Sequence, residues 1–274
     1  MKTRLLTGIP AALALLALIV WGPSGLLQTV TLVMGSLAYW EYDTLMIQRK
    51  SWMRKILLAL SIALEIYLLG SDPILALHAF WIVGVLIFIT AVMGQARIGN
   101  FETALKELAL EWLGFSYIVF LFGFLFPIVG WPEVGRAYLL LLFSIVFVGD
   151  TAAYFGGMRW GHRKLAPQIS PKKTWEGAWA AIISSVIVAI LWARWIYPNE
   201  VQPGFYWKVV LIAPVLSMLA QLGDLFESVL KRSQMQKDSG AFLPGHGGIL
   251  DRIDGLVFSA PIFYLFMYYF WETA

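Results

Sequence analysis

Cysteine is absent from all 274 residues. Disulfides and thiolate metal sites are therefore excluded. Charge is scarce as well: 14% of residues are charged and 59% are hydrophobic. A soluble domain of this length carries about a quarter charged residues. Also missing are a G-x-x-x-x-G-K-[ST] loop, an H-E-x-x-H helix and a G-x-S-x-G elbow. These absences remove P-loop phosphate binding, zinc-protease chemistry and the α/β-hydrolase nucleophile. No internal repeat, low-complexity tract or long polar linker divides the chain. No soluble core could bury so much apolar side chain, so the composition points to a polytopic membrane protein.

What is present is a series of apolar runs. The expected fold is an all-α integral membrane bundle of about nine transmembrane helices. The spans are expected near 5–21, 26–46, 56–69, 74–93, 110–129, 138–154, 175–197, 207–230 and 253–271. An amphipathic piece with Glu102, Lys106, Glu107 and Glu111 precedes the fifth. The first run is long for a signal peptide and lacks a clear cleavage site, so it is read as an uncleaved span. Residues 1–130 then hold five spans and residues 131–274 hold four, in a single integrated membrane domain.

The net charge of +3 is small, but its distribution alternates. Lys2 and Arg4, then Arg49, Lys50, Arg54 and Lys55, then Arg159, Arg163, Lys164, Lys172 and Lys173 fall on one side. The odd loops are nearly free of Lys and Arg, apart from Arg136. The positive-inside rule puts the N-terminus and even loops in the cytoplasm and the C-terminus outside. Trp21, Trp131, Trp195, Trp207 and Trp271 fall near the expected outer ends, as an interfacial belt does.

One stretch breaks the hydrocarbon pattern: Gln221 to Gly255, reading QLGDLFESVLKRSQMQKDSGAFLPGHGGILDRIDG. As a helix, its first part sets Gln221, Asp224, Glu227, Ser228 and Lys231 on one stripe. Asp251 and Asp254 repeat the i, i+3 spacing where the last apolar run opens. Carboxylates on membrane helices are costly unless they face protein, water or a cation. Such ligands suit a hard cation such as magnesium. Lys231, Arg232, Lys237 and Arg252 suit phosphates, and Gly240, Gly245, Gly247 and Gly248 let backbone approach a ligand. The plainer reading is an ion pair of these acids with Lys231 or Arg252 that only joins helices.

The run S-x-x-K-R-x-x-x-x-K-D-x-G-x-x-L-P-G-H-G-G-x-x-D-R-x-D, from Ser228 to Asp254, resembles the signature of the phosphatidate cytidylyltransferases, or CDP-diacylglycerol synthases. Asp150, Tyr154, Gly157, Ser170, Pro171, Lys172, Lys173, Thr174, Glu176 and Gly177 resemble a second stretch of that family. The first half resembles it only as a set of apolar spans. The resemblance implies transfer of the cytidylyl group of CTP to phosphatidic acid, giving CDP-diacylglycerol and pyrophosphate. Asp224, Lys231, Asp251, Arg252 and Asp254 are the expected catalytic residues, with magnesium on Asp224 and Asp251. The family is thought to use a second cation, with potassium a candidate and Asp254 able to help hold it. Lys172, Lys173, Thr174, Ser228, Arg232, Lys237, His246, Gly247 and Gly248 are the expected contacts to substrate phosphates. The expected partners are CTP, phosphatidic acid and the bilayer, with no nucleic acid and with room for a homodimer. The expected location is a bacterial inner membrane with the site facing the cytoplasm.

Several residues keep two readings. Ser170 and Pro171 look like a helix N-cap and first helical position, so Lys172 and Lys173 mark either a cytoplasmic loop or an anion site. Asp150, about a turn from the cytoplasmic end of span six, is either a third acid of the site or a hydrogen-bonded structural residue. His246 is an acid–base group or a loop contact to phosphate. Glu41, Asp43 and Glu65 have no motif context, and interhelical hydrogen bonding is their default. For the whole chain, a CDP-archaeol synthase, a polyprenol kinase or a cation-coupled transporter remain as alternatives.

Overall fold

The computed structural model describes residues 2–47, 60, 62–64, 66–68, 70–96, 101–131, 134–195, 203–236, 239–240 and 247–271. Two compact units emerge: Met1–Gly130 with Asp238–Asp251, and Trp131–Lys237 with Arg252–Ala274.

The first unit begins with α1 (Lys2–Trp21) and α2 (Ser24–Tyr42), which runs on as a π-helical turn, Asp43–Ile47. Next come α3 (Pro73–Ala96) and α4 (Phe101–Phe115), which runs on as π-helical Ser116–Phe122, and then the short α5 (Leu125–Gly130). The expected amphipathic piece leads directly into the expected fifth span, 110–129. They form one helical run from Phe101 to Phe122, and a turn at Gly123 and Phe124 then interrupts the expected span. At Gly114 the ring of Tyr42 occupies the space a Cβ would take. The Tyr42 hydroxyl donates to the carbonyl of Leu110 at 2.9 Å. Helix α4 is thus pinned to α2. Phe80 of α3 sits 5.1 Å from the rings of both Trp112 and Phe115, adding an aromatic seam.

The second unit holds α6 (Gly135–Trp160), β1 (Lys164–Ala166), β2 (Ser170–Thr174), α7 (Trp175–Trp195), α8 (Pro203–Ser233) and α9 (Leu250–Trp271), whose first two residues count with the first unit. Helices α6 and α7 approach closely because their facing positions are small. A Cβ at Gly156 would come within 2.6 Å of the Ala180 methyl, and one at Gly177 within 2.6 Å of the Ala153 carbonyl. Such seams let helix backbones meet where no hydrophobic effect drives them together.

Two expectations change in this unit. Ser170 and Pro171 do not start a helix. They lie on an antiparallel hairpin in which Lys164 faces Thr174 and Ala166 faces Ser170. Each strand of a two-stranded sheet is an edge, so a residue without an N–H is tolerated there. The helix begins four residues later, where the Thr174 hydroxyl accepts the N–H of Gly177 at 3.2 Å, the N-cap to N3 bond. Asp150 also lies deeper than one turn from its helix end, because α6 runs on to Trp160.

Among the described residues, four helices are long and apolar enough to cross a membrane: Gly135–Trp160, Trp175–Arg194, Trp207–Ser233 and Leu250–Phe270. Two shorter apolar stretches, Ala12–Trp21 and Ile74–Ile89, lie in α1 and α3. The chain is an integral membrane protein, and its described residues are mostly helical. Spans six to nine of the sequence reading coincide with the four long helices.

Candidate active site

Helix α8 is the scaffold of the site in the second unit. Its stripe presents Gln221, Asp224, Glu227, Ser228 and Lys231 over three turns. The carboxylates of Asp224 and Glu227 meet that of Asp254 from α9, with one oxygen of each within 4.8 Å of the others. Glu227 is almost fully buried and Lys231, one turn on, forms a close ion pair with it. Asp254 accepts the N–H of Gly255 at 2.8 Å. Ser228 donates to Asp224 at 3.5 Å, a long bond.

The hairpin delivers a cation to the same place. Lys173 on β2 lies 2.7 Å from Asp224 and donates to the Gln221 carbonyl at 3.4 Å. Gln221 is itself tied to the carbonyls of Ala178 and Ser217 at 3.4 and 3.3 Å. An ammonium has three N–H groups, so among the described residues Lys173 keeps one for an anion. Lys172, its neighbour, is exposed. Asp150 is within electrostatic reach of Asp224 and Lys173. Arg232 donates to the Gln236 carbonyl at 3.4 Å and Arg252 is exposed.

Glu227 is the member the site reading left out. It was visible on the stripe, one turn before Lys231. Three carboxylate oxygens this close, flanked by Lys173 and Lys231, are the donor chemistry of a hard cation. The approach of α8 to α9 that gathers them rests on Gly223, where the main chain of Asp254 fills the place of a Cβ.

The first unit holds the rest of the signature. Asp251 Oδ2 accepts three donors: the Ser239 N–H at 3.0 Å, the Ser239 hydroxyl at 2.9 Å and the Gly248 N–H at 2.8 Å. The last of these reaches back three residues, as a capping box does. Gly247 has φ +78°, and a Cβ there would come within 2.5 Å of the Asp251 carboxylate. Glu41 of α2 accepts the Leu250 N–H at 2.8 Å and the Ser239 hydroxyl at 3.1 Å. Asp224 and Asp254 belong to one unit and Asp251 to the other. Lys237, His246, Glu65 and the basic residues Arg49 to Lys55 lie outside the described residues.

Thr174 offers a clean test of the local geometry. It is buried, and its hydroxyl caps α7. Thr174→Val should cost about 1 kcal/mol, and Thr174→Ser should restore it. The measurement is the thermal unfolding midpoint in detergent, and equal midpoints for the two variants would refute the cap.

A model of the cytidylyltransferase family matches residues 2–270. A phosphatidate cytidylyltransferase from Brucella suis is 42% identical over 162 residues, covering 50% of this chain and 57% of that protein. One from Staphylococcus epidermidis is 36% identical over 171 residues, covering 62% and 61%. One from Thermotoga maritima is 29% identical over 271 residues, covering 97% of this chain and 95% of its own. The matched stretch thus spans little more than half the length of the more identical relatives and nearly all of the more distant one.

Proposed function

The chain belongs to the cytidylyltransferase family, and on that premise we propose that it transfers the cytidylyl group of CTP to phosphatidic acid, giving CDP-diacylglycerol and pyrophosphate. The observation that carries this reading is the cluster of Asp224, Glu227 and Asp254 beside Lys173 and Lys231, on helices apolar enough to span a bilayer. Ionisable groups clustered this densely on membrane helices mark a functional site.

The chemistry needs little from an acid or a base. A phosphate oxygen of the lipid is already anionic. It attacks the α-phosphorus of CTP, forming a new P–O bond. The bond from that phosphorus to the bridging oxygen breaks, and pyrophosphate leaves with the electron pair. The difficulty is to bring two polyanions together. Lys173, with an N–H to spare, and Lys172 receive phosphate from one substrate, while Lys231, Arg232 and Arg252 draw in the triphosphate. Asp224, with Glu227 and Asp254, is proposed to hold magnesium, which when bound screens charge on the nucleotide phosphates. Asp251 as a magnesium ligand is a separate proposal, tested by a magnesium titration of Asp251→Asn. No covalent enzyme intermediate is required.

The topology belongs to the same proposal: nine spans, N-terminus and site in the cytoplasm of a bacterial inner membrane, C-terminus outside. The alternating loop charge supports it. Reporters placed after Ala274 and between Arg159 and Lys173 should report opposite sides, and agreement between them would sink it. For the activity, CTP labelled at the α position should pass its label to the lipid. Label from the γ position in the lipid would instead identify a kinase, and none from either a non-transferase. Ion flux in vesicles without lipid labelling would favour a transporter.

A further inference from the structure

The signature residues account for the glycines and acids near Asp251, but not for the group they surround. Glu41 lies on α2, far away in sequence. Its carboxylate occupies the niche left open by two glycines of the signature stretch. A Cβ at Gly240 would overlap the Glu41 carboxyl group, with Cδ at 2.7 Å and Cγ at 3.1 Å. A Cβ at Gly248 would overlap the same carboxyl group and the Ser239 hydroxyl. The carboxylate is tied to the main-chain N–H of Leu250 at 2.8 Å, at the first turn of α9, and to the hydroxyl of Ser239 at 3.1 Å. Ser239 in turn reaches Asp251 through both its N–H and its hydroxyl.

We propose that Glu41 is a positioning residue for the transfer reaction: it fits between Gly240 and Gly248 and holds Ser239 and the start of α9, so that Asp251 keeps its place. The physical argument has three parts. Leu250 N–H is one of the four orphan donors at a helix start, and a carboxylate there satisfies it and complements the helix dipole. Asp251 has Oδ2 bound to Ser239 and Gly248, so its orientation depends on where Ser239 is held. Ser239 has one hydroxyl proton and two carboxylate neighbours, so the hydroxyl serves one of them at a time; its N–H, given to Asp251, holds it in place between α2 and Asp251. Glycine at 240 is then required by the volume of Glu41, not by backbone conformation, because its φ is not positive.

This inference rests on the proposed transfer activity, and its test separates the two. The wild-type protein is first shown to make CDP-diacylglycerol from labelled CTP; if it does not, the function itself is wrong. In the active protein, Glu41→Ala should lower kcat/KM by roughly tenfold to a hundredfold, the scale on which a displaced site loses rate. Glu41→Gln keeps the volume and one acceptor oxygen, so it should retain more activity than Glu41→Ala. Gly240→Ala should match Glu41→Ala, because its new methyl group evicts the carboxylate. The double variant Glu41→Ala with Gly240→Ala should be no worse than either single one. Two positions that act independently predict losses that multiply, and a merely structural role predicts losses that follow the thermal unfolding midpoint. If Glu41→Ala does not fold, the pair Glu41→Gln and Gly240→Ala makes the same comparison. Wild-type kcat/KM in folded Glu41→Ala or Glu41→Gln, or fully multiplicative losses in the double variant, would overturn the proposal.

Discussion

Asp224→Asn should lose roughly a hundredfold or more in kcat/KM, the scale of removing one electrostatic group from a site of charge development. The protein should still fold. Its ion pair with Lys173 has side chains 22% and 35% exposed. Solvent screens such a pair, so the cost to stability is about 1 kcal/mol or less. Activity should suffer more, because Asp224 meets Glu227 and Asp254 on one side and Lys173 on the other. Asparagine keeps the size and removes the charge, so a carboxylate needed for a divalent ion is lost without a cavity. The magnesium requirement should rise at fixed CTP and lipid. An ion pair that only joins β2 to α8 makes the opposite forecast: a lower unfolding midpoint and residual activity indifferent to magnesium. Folded Asp224→Asn with wild-type turnover at unchanged magnesium dependence rules out its metal role.

Gly223→Ala should be nearly as damaging by a different route. The added methyl group would run into the Asp254 carbonyl oxygen, with the carbonyl carbon at 3.0 Å and the Phe258 ring at 3.3 Å. A main-chain oxygen has no rotamer to escape to. Helices α8 and α9 must part, and overpacking of this kind costs about 1–3 kcal/mol. The same displacement spreads Asp224 and Glu227 from Asp254. Loss of both stability and activity is expected, read from the unfolding midpoint and from label transfer. Gly25→Ala is the control, since a Cβ at Gly25 meets nothing within 4 Å. If the two glycine variants behave alike, the close helix contact is not what gathers the acids.

Much of the second unit was legible in the amino-acid sequence. Long apolar runs bounded by charge give helices, and the four that are long and apolar enough to cross a membrane fall where expected. Asp224 and Asp254 stood out because acids on apolar helices are rare. The hairpin was harder to see. Ser-Pro followed by lysines looks the same at a helix start as on a short edge strand, and only Thr174 as the cap distinguishes them. Glu227 stood on the stripe one turn before Lys231, and that spacing alone is also what ordinary helix surfaces show. Glu41 was beyond reach. Its partner Leu250 lies 209 residues away, and local periodicity says nothing about such a pairing. The glycines at 240 and 248 looked like room for a ligand, when the occupant of that room is a side chain of the same protein.

The make-up of the first unit has a consequence for biosynthesis. It is closed by Asp238–Asp251, a segment translated long after α2 has entered the membrane. At 5–20 residues per second, the 209 residues between Glu41 and Leu250 take on the order of ten to forty seconds to synthesise. Through that interval the Glu41 carboxylate waits in a partly inserted chain without its final hydrogen-bond donors. Insertion and folding are thus separate stages for this half of the molecule. A ribosome stalled after Ser233 would leave every helix of the first unit in place and the unit itself unfinished.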